Sequence, residues 1–96
     1  METQFYITLT LRTHSGFESF AKFFIGNNRQ RALEIFKQLK GSHGVSEKNI
    51  LYFDFWETQK GLPANLDLIT CTLNQLAENC RIITKELFIS ENLEGF

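Results

Sequence analysis

Between residues 4 and 13 apolar and polar side chains alternate without interruption. Phe5, Ile7, Leu9 and Leu11 fall on one side of an extended chain, and Gln4, Tyr6, Thr8, Thr10 and Arg12 on the other. A strand patterned this way lays its apolar side on a core and leaves the other to solvent or a partner, so the segment commits the chain to a sheet with two unlike faces. His14-Ser15-Gly16 then reads as a turn, and a second extended run, Phe17 to Ile25, returns at hairpin distance. Strict alternation there sets Phe17, Ser19, Ala21, Phe23 and Ile25 against Glu18, Phe20, Lys22 and Phe24, with Phe on both sides.

A helix is predicted next. Gly26-Asn27-Asn28 ends the strand, with Asn27 as N-cap and Gln30 as its capping-box partner. Ala32, Leu33, Ile35, Phe36 and Leu39 make one apolar stripe, Lys37 and Lys40 occupy the last turn, and Gly41 is placed as the left-handed residue that stops the helix. Ser42 to Lys48 is a polar loop. Asn49 to Glu57 alternates again, with Leu51, Phe53 and Phe55 opposite Ile50, Tyr52, Asp54 and Trp56, and Thr58 to Pro63 reads as a turn.

Residues 66–71 admit two readings. Leu66, Ile69, Leu73, Leu76, Cys80, Ile83 and Leu87 form a helical seam that would give one long helix from Asn65. Against it, Thr70-Cys71-Thr72 is a poor helix interior, whereas Thr72 and Gln75 make a capping box with Cys71 and Leu76 as its hydrophobic staple. The second reading gives a fourth strand, then a helix from near Leu73 to about Ile89 with a dip in propensity at Cys80 to Thr84, and a loose tail from Glu91. The element order is then ββαββα. Two amphipathic helices need one sheet face to cover, so the expected fold is α+β, a two-layer sandwich: a four-stranded, mostly antiparallel sheet with both helices on one face. At 96 residues, 43% of them hydrophobic, the chain suits a single domain over 1–96 with an ordered core of about 3–90.

The segments FFIGNN, GLPANL and CTLNQLAENCRIITKELF are similar to those of a group of short uncharacterised bacterial proteins of Bacteroidetes type, over nearly the full length of this chain. That group has no assigned activity. The resemblance implies one complete domain in a bacterial cytoplasm and carries over no catalytic or binding residue.

No apolar run approaches the ~20 residues of a membrane helix, and METQFYIT lacks the basic and apolar blocks of a signal peptide, so a cytoplasmic protein without membrane contact is expected. Net charge is −1 and unevenly spread: residues 1–48 carry seven Lys or Arg and four Asp or Glu, residues 49–96 three and seven. Neutralisation within one fold is the expected use of that asymmetry. Cys71, Cys80, His14 and His43 stand in unrelated contexts without metal-ligand spacing, so no metal and no cofactor are expected, and the cysteines read as buried reduced thiols. Nucleophile-elbow, phosphate-loop, dinucleotide and zinc-protease patterns are all missing from the sequence. The carboxylates Asp54, Glu57 and Asp67 lie on or beside strands without a His or Lys beside them and are expected to be solvated. Catalysis is thus the weaker reading, and no catalytic residue is assigned.

Binding is the stronger one. Tyr6, Phe20, Phe24, Tyr52 and Trp56, joined by Ile50, fall on the sheet face opposite the helices, and a large exposed apolar patch marks an interaction site. The leading expectation is a small binding or assembly module that self-associates as a homodimer or holds a protein partner through this face. A peptide or small-molecule groove, or cover by Leu93 to Phe96, are the competing uses. Nucleic acid is disfavoured because only Arg12 and Lys22 flank the aromatics. The alternative function is a small-ligand or anion-binding regulator or enzyme. Its candidate anion site is Asn27, Asn28, Arg29 and Arg31 at the start of the first helix, where cations oppose the helix dipole and backbone N–H groups are free. The competing account is that both arginine side chains splay into solvent or pair with Glu34 or with the acidic second half.

Overall fold

In the computed structural model, which describes residues 3–44 and 50–90, the chain forms β1 (Gln4–Thr13), β2 (Gly16–Phe24), α1 (Arg29–Lys37), β3 (Leu51–Gln59), β4 (Leu62–Cys71) and α2 (Leu73–Ser90). The four strands make one sheet in the order β2-β1-β3-β4, and every neighbouring pair is antiparallel. This is the expected ββαββα sandwich, built from two hairpins whose inner strands, β1 and β3, pair at the centre. The thinnest dimension of 21 Å matches one helix layer on one sheet.

Both helices cover the same face. Phe5, Ile7 and Leu9 of β1, Phe53 and Phe55 of β3 and Ile69 of β4 pack with Ala32, Ile35 and Phe36 of α1 and Ile83 of α2. Phe55 is the hub, its ring stacked on Phe36 at 5.1 Å and tilted against Phe5 at 6.1 Å. The alternation read in β1 and β3 therefore selects the buried face.

The second hairpin is longer than its sequence suggests. Lys60 (φ 52°) and Gly61 (φ 82°) both adopt positive φ, a two-residue turn whose twist matches the flanking strands, so β3 runs to Gln59 and β4 begins at Leu62. Pro63 is tolerated because β4 is an edge strand and need not donate on its outer side. Residues 66–71 are strand, and the Thr72–Gln75 box forms as read, with Gln75 N–H donating to Thr72 Oγ1 (3.2 Å) and Thr72 N–H to Gln75 Oε1 (2.9 Å). Helix α2 passes through Cys80 to Thr84 without a break.

Three local expectations are corrected. The cap of α1 is Asn28 rather than Asn27: its Oδ1 accepts from Arg31 N–H at 3.0 Å, and Gln30 pairs along the helix with Glu34 instead of reaching back. Helix α1 stops at Lys37, four residues before Gly41. Gly41 is needed for a different reason, because a Cβ there would run into the backbone carbonyl of Thr70, where Ser42 bridges to the outer edge of β4. The loop between is anchored by Asn79 of α2, which is fully buried; its Oδ1 accepts from Lys40 N–H (2.6 Å) and its Nδ2 donates to Lys40 O (2.8 Å). The tail from Glu91, including Leu93 to Phe96, lies outside the described residues, as do 45–49.

Candidate functional site: the open sheet face

Each hairpin carries a bulge in its outer strand, and the one in β2 decides the composition of the open face. Register steps from Leu9↔Ala21 to Thr10↔Ser19, leaving Phe20 as the extra residue. Beyond it the faces exchange. Ser19 and Phe17 turn to the open side, opposite Thr10 and Arg12, instead of joining Ala21 and Phe23 on the core side. Strict alternation places Phe17 in the core; it is 66% exposed and packs edge-on against Tyr52 at 5.5 Å.

Of the five aromatics expected on this face, Tyr6 and Trp56 stack directly across β1 and β3, with ring centroids 6.2 Å apart and planes 13° from parallel. Lys22 lies over the Tyr6 ring, its Nζ 4.2 Å from the ring centroid. Phe20 and Phe24 are exposed on β2. Tyr52 is a correction: it belongs to this face but is only 4% exposed, packed against the Phe17 ring. Ile50 is half-exposed, immediately before β3.

Between the two inner strands lies a polar line that the sequence reading assigned to solvent. Asp54 sits opposite Thr8 in register and is 8% exposed. Trp56 Nε1–H donates to Thr8 Oγ1 (2.9 Å), while the Thr8 and Thr10 hydroxyls both donate to Asp54 Oδ2 (3.2 and 2.8 Å). The two hydroxyl bonds converge on one carboxylate oxygen and the indole bond supports Thr8 from behind, so Asp54 is oriented by its neighbours rather than freely hydrated. Glu57, also expected in solvent, is buried too, but on the helix-covered face of the same strand. Asp54 and Glu57 therefore lie on opposite faces of the sheet and do not form a carboxylate pair. Asp67 is partly exposed beside His43, 3.2 Å away.

Two grooves cross the open face and share Ser19 and Trp56. One, of about 470 Å³, runs between Phe20 and Lys22 of β2 and Pro63 of β4 over the Tyr6–Trp56 stack. The other, about 400 Å³, has Asp54 and Thr10 as polar lining and Phe17, Tyr52, Trp56 and Leu68 as apolar lining. Each is of a size that accommodates a small molecule or a side chain with part of its backbone.

The second candidate site is arranged differently. Asn27, Asn28 and Arg31 border a depression of about 160 Å³, which Arg29 does not line. Arg29 instead pairs with Glu57 at 3.1 Å, and Arg31 donates to the Glu86 carbonyl at 2.9 Å with the Glu86 carboxylate at 3.6 Å. These pairs and His43–Asp67 each join the basic first half of the chain to the acidic second half. The arginines thus neutralise carboxylates within the fold, which is the competing account given above.

Cys71 and Cys80 are free thiols that pack against the core from β4 and α2. Burial first, and the proximity of Cys80 second, push the Cys71 thiol up to about 11, and burial raises that of Cys80. Among the described residues no group of three or more His, Cys, Asp or Glu is placed to hold a metal ion, and no helix is long and apolar enough to cross a membrane.

Together these features define a two-layer α+β domain with one helix-covered face and one open aromatic face centred on an oriented carboxylate. In comparison with known proteins, no family model, no curated protein and no solved structure matches the chain.

Proposed function

We propose that this chain is a small binding module and that its open sheet face holds a protein partner. The observation that carries this reading is the contrast between the two faces of one sheet. One is filled by both helices, whereas the other presents the Tyr6–Trp56 stack and the exposed rings of Phe17, Phe20 and Phe24 around two grooves. Apolar surface held in water costs about 25 cal/mol per Å², and a rigid β-platform offers it with little entropy to lose on contact. A standard interface needs roughly 800 Å² per partner, which the face of a four-stranded sheet can supply. A second copy of the chain is the simplest such partner.

Light scattering from about 10 to 500 μM, with acrylamide quenching of the sole tryptophan, Trp56, tests the reading. Association that is lost in Phe20→Glu, with the far-UV spectrum unchanged, is the expected result. Phe20 is 58% exposed and outside the Asp54 hydrogen-bond line, so the substitution leaves that line intact. A monomer with Trp56 open to acrylamide moves the partner to another protein. A monomer whose Trp56 is shielded until residues 91–96 are removed overturns the proposal, because the tail would then be the occupant.

A further inference from the structure

The open face contains a charge whose compensation is incomplete. Asp54 is more than nine-tenths buried, yet no Lys, Arg or His among the described residues forms an ion pair with it. Its two hydrogen bonds come from neutral hydroxyls and both end on Oδ2. No fully buried side-chain oxygen or nitrogen among the described residues lacks a hydrogen-bond partner, so Oδ1, which receives neither bond, keeps some exposure, and Asp54 is a lining residue of the groove. Burying a carboxylate without a cation is unfavourable unless the site is completed by one. Phe17, Tyr52 and Trp56 line the same groove, and aromatic rings attract positive charge through their π-faces.

We infer that the face engages its partner through a lysine side chain, whose ammonium enters the groove between Phe17 and Trp56 and donates to Asp54 Oδ1. Lysine fits better than arginine on geometric grounds. A guanidinium binds a carboxylate by a two-pronged contact with both oxygens, and here Oδ2 already accepts two hydroxyls. An ammonium is a point charge that needs only the one free oxygen. Within the chain, Lys22 shows the same chemistry one groove away, where its ammonium rests on the Tyr6 ring rather than on Asp54. The groove volume of about 400 Å³ holds a lysine side chain with its flanking backbone. This inference rests on the proposal that the open face binds a protein, and it names the anchoring group.

The probe is N-acetyl-lysine N-methylamide, titrated against Trp56 fluorescence at fixed ionic strength, with the norleucine and arginine analogues as comparators. The expected result is a saturable change with a dissociation constant on the order of 1–10 mM for lysine. Binding should be at least tenfold weaker for norleucine and for Asp54→Asn, and weaker for arginine. Asparagine is close to isosteric and still accepts from both hydroxyls. Should that variant fail to fold, Phe17→Leu, at an exposed position, serves instead and should weaken lysine binding several-fold. Lys22→Met should bind the probe as wild type does; tighter binding there would mean that Lys22 itself fills the site. That result, equal binding of lysine and norleucine, or wild-type binding by Asp54→Asn, overturns the inference. If the probe fails while Phe20→Glu still abolishes association, the open face remains the interface and only the lysine anchor falls.

Discussion

Replacing Asn79 by alanine should be among the most damaging single changes available in this fold. The side chain is fully buried, and its amide satisfies both the N–H and the C=O of Lys40, at 2.6 and 2.8 Å. Each bond contributes about 1 kcal/mol net, and an abandoned main-chain group that water reaches poorly costs about 1–3 kcal/mol more. Because Lys40 is itself exposed, part of that second cost is recovered by hydration. The sum is roughly 2–4 kcal/mol, which for a domain of this size lowers Tm by about 10–25 °C. Differential scanning calorimetry of Asn79→Ala beside Asn79→Leu separates the causes, since leucine restores volume but neither bond. Both variants should fall together. If leucine recovers the wild-type Tm, the loss in alanine is a packing cavity and the hydrogen-bond argument is wrong; if neither shifts Tm by more than a degree or two, the anchor has no energetic role.

Two further outcomes follow from the site descriptions. Because burial raises both thiols, alkylation of native Cys71 at pH 9 should proceed with about a hundredth of the thiol ionised, and its rate should keep climbing towards pH 11; two fast-reacting thiols should appear on denaturation. The linked stability term has the matching sign: it is fully present below the ordinary thiol pKa of 9 and is lost as pH rises through about 11. Phosphate or sulfate at constant ionic strength should shift the Tm of wild type and of Arg29→Ala/Arg31→Ala equally, since both guanidiniums are engaged by Glu57 and Glu86; a shift confined to wild type would restore the anion site.

The parts of the fold legible in the sequence are those where a period and a cap agree. The alternation in β1 and β3 identifies the core face, and the Thr72–Gln75 box places the start of α2 within a residue, because its two bonds are local and reciprocal. Features produced by pairing between strands are not legible in the same way. The β2 bulge moves Phe17 from the expected core side to the open face, and nothing within β2 encodes it, since the step arises where β2 meets β1. Asp54 was read as a solvated charge because its compensation comes from Thr8 and Thr10, over forty positions away in the chain. A signal was available there: Thr8 and Thr10 share the outer face of β1, and hydroxyls on a central strand need an acceptor. The position of Gly41 after a helix suggests the most frequent role of such a glycine, whereas its requirement comes from Thr70, nearly thirty residues further along the chain.

The two margins of the sheet are closed to very different degrees. The β4 margin has a proline that offers no donor, and Ser42 occupies both main-chain groups of Thr70. The β2 margin, running through FESFAKFF, is guarded chiefly by the odd residue at Phe20, which breaks the spacing of outward N–H and C=O groups that an arriving strand would have to match. A single-residue deletion at that point would straighten the margin while leaving Ser19 and Phe17 opposite Thr10 and Arg12 on the open side. The seven residues that remain, with three phenylalanines and only one charge of each sign, would then present a regular template for stacking chain on chain. The extra residue that shapes the open face thus also interrupts the one margin along which another strand could add.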